Sequence, residues 1–429
     1  MKKLISTLLP VLFPVILMAQ AGHIMQGIGA HNMSMGGAAT GNALEISGAL
    51  HWNPAGIAAF DGKILSINAG LFYSSPELSS TVPTPGGPFS GVTEDDRGAS
   101  VMPALAYVWN KKDSKHHFGV SAFGVSGFGV TFPENMSNPI NMPQDMGGFG
   151  RIESDYMLLQ VGFNYAYEIS DQLSVGVAPT FNYSALELAP NPLSSPSMDK
   201  GYPVADRASA FGFGGQIGIY YRAENGLRLG ASYKTQQFFN DFEFKNTYLD
   251  GTAAPDVNFT MNFPSIISIG AGFSKKMFDI AVDYRYVNYA NTDGFEAEGW
   301  TQTASVAGFG WENMSVVSAG VQFKGVNRLP IRVGYTYSSN PIKPELAFFS
   351  TPATAIIANA FQLGLGYEFT PQFTLNAVYH HGNSSGSTSG PLLSPMLISP
   401  TNPNGAIPNS EVSYKMTTDL FMIGLQFTF

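Results

Sequence analysis

Serine, histidine and arginine supply the positions in this chain where chemistry could begin. Gly382-Asn383-Ser384-Ser385-Gly386 fits the Gly-x-Ser-x-Gly spacing that presents a nucleophile on a strand-to-helix turn. The pentad lies in a polar stretch with no helical pattern after it, so it reads as loop. His116-His117 and His380-His381 are adjacent pairs on strand-like segments, whose side chains leave opposite faces and cannot close on one metal ion. The chain has no cysteine, which removes thiolate ligands, disulfides and a lipid-anchored start. No metal and no cofactor is expected. Arg285 shares a strand face with Asp279 and Asp283, opposite Ile280, Val282, Tyr284 and Tyr286. Two readings of it stay open: a structural ion pair, or an interior cation that meets a carboxylate ligand. No nucleophile stands beside a base, and an enzyme is not expected.

The elements that must position such residues follow from composition. The chain is 12% charged and 13% aromatic and carries 47 glycines, whereas soluble domains are about one quarter charged. Lys2 and Lys3, an apolar run from Leu4 to Leu17 broken by Pro10 and Pro14, and small residues at Ala19 and Ala21 have the layout of a secretory signal peptide over residues 1–21. Cleavage after Ala19 or Ala21 fits equally well. Beyond residue 21 no apolar stretch approaches the length of a helical span, which leaves a closed barrel as the way to cross a membrane. A net charge of -9 disfavours a nucleic-acid partner.

From residue 63 to 429 apolar residues recur at every second position, the period of a strand with two unlike faces. Leu227, Leu229, Ala231 and Tyr233 oppose Arg228, Gly230, Ser232 and Lys234. Ile331, Val333, Tyr335 and Tyr337 likewise oppose Arg332, Gly334, Thr336 and Ser338. The connections alternate strictly between short ones, such as Ser170 to Gln172 and Thr370 to Gln372, and long ones, such as Ser74 to Gly98 and Gly382 to Ser413. Six short turns and seven long loops predict an all-β membrane protein, an antiparallel transmembrane β-barrel of about fourteen strands with the short turns on the periplasmic side. Tyr165 and Tyr167, Tyr284 and Tyr286, and Phe369 and Phe373 stand at strand ends, where interfacial aromatic girdles belong. The last segment ends on the aromatic Phe429.

A barrel of that size is wider than its own side chains can fill. Inward-parity glycines, among them Gly176, Gly218, Gly230, Gly320 and Gly334, widen it further. Residues 22–62 lack a strand period and carry Gly27, Gly29, Gly36 and Gly37 ahead of Trp52-Asn53-Pro54-Ala55-Gly56. They are expected to fold as short helices and turns inside the lumen. Residues 27–60, GIGAHNMSMGGAATGNALEISGALHWNPAGIAAF, resemble the amino-terminal hatch of the FadL/TodX outer-membrane transporters, with the hatch motif at Asn53, Pro54, Ala55 and Gly56. Asn262-Phe263-Pro264, the segment from Arg332 to Pro341 and the closing strand extend the likeness over the mature chain.

The resemblance implies a monomeric carrier in the bacterial outer membrane that takes up hydrophobic compounds, long-chain fatty acids first. Aromatic hydrocarbons remain an alternative cargo, and a general porin or structural outer-membrane protein an alternative role. Its partners would be the hydrophobic small molecule and outer-membrane lipid. The family releases its ligand sideways through a kinked third strand, here residues 118–132, in which Gly124, Gly127 and Gly129 could support the kink. An oily cargo favours such a route, because each methylene loses about 0.8 kcal/mol on entering water. Leu420 and Met422, inward on the last strand, are further candidates for ligand contact beside Arg285. The apolar and proline-rich stretches Pro190 to Pro196, Leu346 to Ile357 and Leu392 to Ile398 could gather cargo at the surface, or be plain surface loops.

Overall fold

A computed structural model describes residues 22–111 and 114–429; the signal peptide expected over residues 1–21 lies outside the described residues. The period-two segments form fourteen long strands. They are β1 (Lys63–Thr84), β2 (Ala99–Asn110), β3 (His116–Phe132), β4 (Ile152–Glu168), β5 (Leu173–Ala189), β6 (Ala208–Arg222) and β7 (Leu227–Lys234). The second half continues with β8 (Ile266–Lys275), β9 (Phe278–Val287), β10 (Met314–Phe323), β11 (Ile331–Ser338), β12 (Asn359–Thr370), β13 (Phe373–Asn383) and β14 (Glu411–Thr428). Each pairs antiparallel with its neighbour in sequence. β14 then pairs with β1 from Ile64↔Thr428 to Thr81↔Glu411, so the sheet closes into a fourteen-strand barrel.

The two strand faces separate as their residue types require. Ile67, Leu71, Phe163, Phe181, Phe211, Ile269, Leu363 and Phe421 face outward and are exposed, whereas Ser66, Asn68, Asn164, Ser268 and Gln362 are buried inside. An apolar outer belt around a polar interior is the arrangement a bilayer selects, since lipid surrounds the wall and every ladder hydrogen bond is made internally. At the short-turn end Trp109 stacks on Tyr107 and Phe118, with ring centres 5.5 and 5.8 Å apart, and Phe373 stacks between Phe369 and Phe427. These rings occupy the level of the headgroups.

The long connections hold more structure than the sequence pattern predicts. β1 continues to Thr84 rather than ending near Ser74, and its outer part pairs as a hairpin with residues Gly87–Glu94. Its inward positions Pro76, Leu78 and Ser80 stay buried, but its outward positions Ser75, Glu77, Ser79 and Thr81 are polar, so no apolar parity marks the extension. The chain before β8 likewise forms a small sheet from Val204–Ala205, Phe242–Thr247 and Ala253–Phe259, and β8 begins only at Ile266.

Inside the wall lies the amino-terminal segment, with helices α1 (Ala30–Ser34) and α2 (Ile46–Trp52) and a 3-10 turn at Pro54–Ala59. Glu45 caps α2, accepting from the backbone N–H groups of Ser47, at 2.8 Å, and Gly48. The wall's inward glycines face this segment's backbone. A Cβ on Gly230 would stand 1.9 Å from the Thr40 carbonyl oxygen, and one on Gly334 2.2 Å from the Gly36 nitrogen. Glycine is needed here for close approach rather than for an unusual φ. Gly212 and Gly214 differ, because Phe239 and Gln237, from the chain between β7 and β8, fill the space before them.

Candidate functional site

Asn53 is the clasp between the segment and the wall. Its side-chain amide donates to the carbonyls of Thr40 and of Ile219 on β6, 3.0 Å each, and its oxygen accepts from the Ala55 N–H at 3.1 Å. Pro54 opens the 3-10 turn, where its missing N–H costs nothing. The Ala55 carbonyl accepts from Ser174 on β5 at 3.0 Å, and Gly56 packs on Ala43 and Ala49. All four residues are buried.

The ladder between β2 and β3 is interrupted over its outer half. In the ladder β2 pairs with β3 only from Ala104↔Phe123 to Asn110↔His117, so Ala99 to Pro103 pair only with β1, and Gly124 and Ser126 to Phe132 only with β4; at the outer end the Asp96 N–H donates to the Thr131 carbonyl at 2.8 Å. The register of β3 against β4 slips between Gly124 and Ser126, a bulge at Val125. The edge that β2 leaves is taken from within: Met25 N–H donates to the Val125 carbonyl, and Gly127 N–H donates to the His23 carbonyl, each at 3.0 Å. The Ser126 hydroxyl adds a third bond to the His23 carbonyl, also 3.0 Å.

A cavity of about 450 Å³ fills this gap. Its lining includes inward residues such as Met25, Phe128 and Tyr156 together with Val101 and Met157 of the lipid-facing belt. Gly127 and Gly129 line it, whereas Gly124 stands at the bulge. The outer rim is charged. Arg97 pairs with Asp155 and donates to the Ser154 carbonyl at 2.8 Å, and Arg207 bridges Asp155 and Glu187. Beside them burial holds the Asp95 carboxyl above the usual range, against the N–H donors of Thr131 and Arg97.

Toward the outer face, rings form a continuous run. Phe149, Tyr202, Trp300, Phe348 and Phe349 line an apolar cavity of about 50 Å³ between the long loops, with Pro190 and Pro192. Phe349 also lines a smaller cavity, about 20 Å³, with Phe309. Phe309 stacks on Phe295 at 5.5 Å and meets Phe128 edge-on at 6.2 Å, which returns to the cavity in the wall.

The other candidate residues lie elsewhere. Arg285 is buried in the wall of β9, where it pairs with Asp283 at 3.0 Å and donates to Ser318 at 3.1 Å and to the Gly37 carbonyl. Leu420 and Met422 pack with Ala30 and Met33 of α1, and Leu420 borders a separate void of about 10 Å³. His116 reaches the Tyr165 hydroxyl at 2.8 Å while His117 faces the opposite way toward Asn110, and His380 and His381 diverge likewise to Gln362 and Asp419. The Ser384 hydroxyl accepts from the Met416 N–H at 3.0 Å, an ordinary loop contact. Sequence reasoning did not single out Arg97, Asp155, Phe128, Tyr156 or His23.

Fold and site together define an integral outer-membrane β-barrel whose lumen is occupied by its own amino-terminal segment. The chain belongs to the family described as outer membrane protein transport protein (OMPP1/FadL/TodX), which matches residues 17–391. It is a transport protein of the bacterial outer membrane rather than an enzyme. Outer membrane protein P1 of Haemophilus influenzae is 22% identical over 270 residues, 55% of this chain and 57% of that relative, so the likeness spans little more than half its length. Among solved structures, the Pseudomonas putida toluene transporter TodX is 16% identical with a TM-score of 0.69, covering 94% of this chain and 99% of its own. A Pseudomonas aeruginosa FadL homologue is 13% identical with a TM-score of 0.70, covering 95% and 100%. At these identities the likeness is one of fold.

Proposed function

We propose that the protein takes up hydrophobic compounds, which enter through the aromatic cavity between the outer loops, pass the buried rings and leave sideways through the gap between β2 and β3. The observation that carries this reading is the unpaired stretch of wall filled by a cavity that reaches both the interior and the lipid-facing belt. The amino-terminal segment acts as the hatch that closes the axial path. An oily molecule that leaves sideways never loses the burial of its methylenes to water, about 0.8 kcal/mol each. Long-chain fatty acids are the first cargo, in keeping with the hatch resemblance. Aromatic hydrocarbons are the second reading, favoured by the run of rings from Phe349 through Phe309 to Phe128.

A reducible bifunctional thiol reagent can staple the gap, because the chain has no cysteine of its own. In a Met102→Cys/Gly127→Cys variant the staple should stop uptake of radiolabelled oleate or toluene, and reduction should restore it. Undiminished uptake through the stapled wall would overturn lateral release. Competition between the two labels then assigns the cargo.

A further inference from the structure

Arg285 and Arg332 are both buried on the inner wall, yet their charges are met differently. Arg285 has Asp283 at 3.0 Å. Arg332, on β11, donates from Nε to the Gln322 side-chain oxygen at 2.6 Å and from Nη1 to that of Asn376 at 2.9 Å, both neutral amides. Among the described residues no carboxylate forms an ion pair with it, and its Nη2 has no hydrogen-bond partner. The carboxylates behind it are engaged elsewhere: Asp279 pairs with Lys324 at 2.9 Å and accepts from Gln322 at 2.7 Å, and Glu45 caps α2. A buried charge is costly unless something of opposite sign meets it.

What Arg332 does meet is a cavity of about 430 Å³ at the short-turn end of the lumen. Lys324 and Arg328 line it as well, against one carboxylate, Glu368. Arg328 sits in the left-handed region, φ 59°, although its neighbour Asn327 is the residue type that region favours. The turn that carries it is fastened to β12, since the Arg328 carbonyl accepts from the Glu368 N–H at 3.0 Å and the Pro330 carbonyl from the Gly366 N–H at 2.9 Å. The hatch supplies the inner side, with Leu44 and with His31 of α1, whose Nε2 is buried and has no hydrogen-bond partner. One nitrogen of the wall and one of the hatch thus lack partners at the same cavity.

We infer that this cavity binds a small soluble molecule with at least two oxyanion groups, one on the fork of Arg332 and one between Lys324 and Arg328. A guanidinium fork suits carboxylate and phosphate oxygens alike, and the volume is that of a small-molecule site rather than of a single inorganic ion. Bound there, the anion joins β11 to α1 and holds the hatch seated from the periplasmic side. The site lies at the other end of the lumen from the gap between β2 and β3, and it does not depend on the route proposed for the cargo.

Citrate and pyrophosphate are the two probes, applied to the full-length, detergent-purified barrel with sodium chloride at matched ionic strength as control. At least one probe should bind saturably by calorimetry, and whichever binds more tightly tells carboxylate from phosphate. The bound probe should raise the thermal midpoint by about 3 °C or more and slow proteolysis of the amino-terminal segment, because a ligand of the seated hatch keeps it seated. Arg332→Gln should abolish all three responses. Arg332 also holds Gln322 and Asn376, so the exposed Arg328→Gln is the second variant: its midpoint without anion should match the parent's, and its affinity for the probe should fall about fivefold. Heat-modifiable gel mobility checks that both variants are folded barrels. Failure of both probes to bind, a midpoint shift equalled by sodium chloride, binding that leaves proteolysis unchanged, or parental affinity in both variants would overturn the inference.

Discussion

The guanidinium carbon of Arg285 lies 3.6 Å from the centre of the Trp52 ring. A wall cation on β9 thus rests on the last residue of α2, and its charge is balanced by Asp283, whose carboxylate accepts the N–H groups of Ala39 and Thr40 at 2.8 Å each. Breaking a buried pair by removing one charge typically costs about 3–5 kcal/mol. Asp283→Asn should therefore destabilise the seating of residues 22–62 by that order, because Arg285 stays buried with its charge uncompensated. In planar bilayers the variant should show leak conductance where the parent is silent. A variant as silent and as heat-stable as the parent would show that the hatch is held by other contacts.

Asn53 makes a second, independent attachment. Asn53→Ala removes the donors to Thr40 and Ile219; Ile219 is paired in the β6 ladder, whereas the Thr40 carbonyl loses a buried partner, which costs about 1–3 kcal/mol. Asn53→Asp keeps an acceptor for the Ala55 N–H but loses both donations. Both variants should lower the thermal midpoint of the purified barrel and expose the amino-terminal segment to protease, the aspartate variant the more, because its buried carboxylate would face the Thr40 and Ile219 carbonyl oxygens. Equal protease resistance in all three proteins would contradict the role of Asn53 as a clasp.

The sequence revealed the barrel because lipid and lumen impose opposite chemistry on alternate residues, so Leu227 against Arg228 or Val333 against Arg332 carries the signal locally. Its turn-forming neighbours drew attention to Asn53, whose side chain bonds the carbonyls of Thr40 and Ile219. The gap in the wall was legible only in part: Gly124, Gly127 and Gly129 mark β3 as deformable, but the loss of pairing concerns Ala99 to Pro103 of another strand, whose parity is ordinary. The ring cluster around His23 had no local signal at all. Its rings come from β3, β4 and the stretches around positions 263, 289, 295 and 311, and only closure of the barrel brings them together. A hint was available in the aromatic content of the connection from Tyr289 to Trp311, which is high for a surface loop.

Glycines on the inner wall give a steric test. Gly230→Ala would set a Cβ 1.9 Å from the Thr40 carbonyl oxygen, a backbone atom that cannot swing aside. Overpacking typically costs about 1–3 kcal/mol, and here the strain falls on the contact between hatch and wall. The expected result is a folded barrel with a loosened hatch, read as leak conductance with unchanged heat-modifiable mobility. Gly215→Ala is the control, since its nearest neighbour would be 3.4 Å away, and it should behave as the parent. Identical conductance from both variants would sever the link between close approach and closure.

Arg97 crosses β3 directly over Gly129, where a Cβ would collide with its guanidinium, and so reaches Asp155 on β4 from the chain that leads into β2. This places an ion pair across the outer mouth of the gap. Both partners are partly exposed, so the pair should weaken with salt, whose screening length falls to about 3 Å at 1 M. If the pair restrains the opening, uptake by the parent should rise with ionic strength. Gly129→Ala and Arg97→Ala should each give faster uptake at low salt, by roughly two- to fivefold for a pair worth up to about 1 kcal/mol, and lose the salt dependence. The two variants act through one contact, so the double variant should add nothing to either. Uptake in Gly129→Ala that matches the parent at every salt concentration would remove Arg97 from the mechanism and leave the bulge at Val125 as the element that governs the gap.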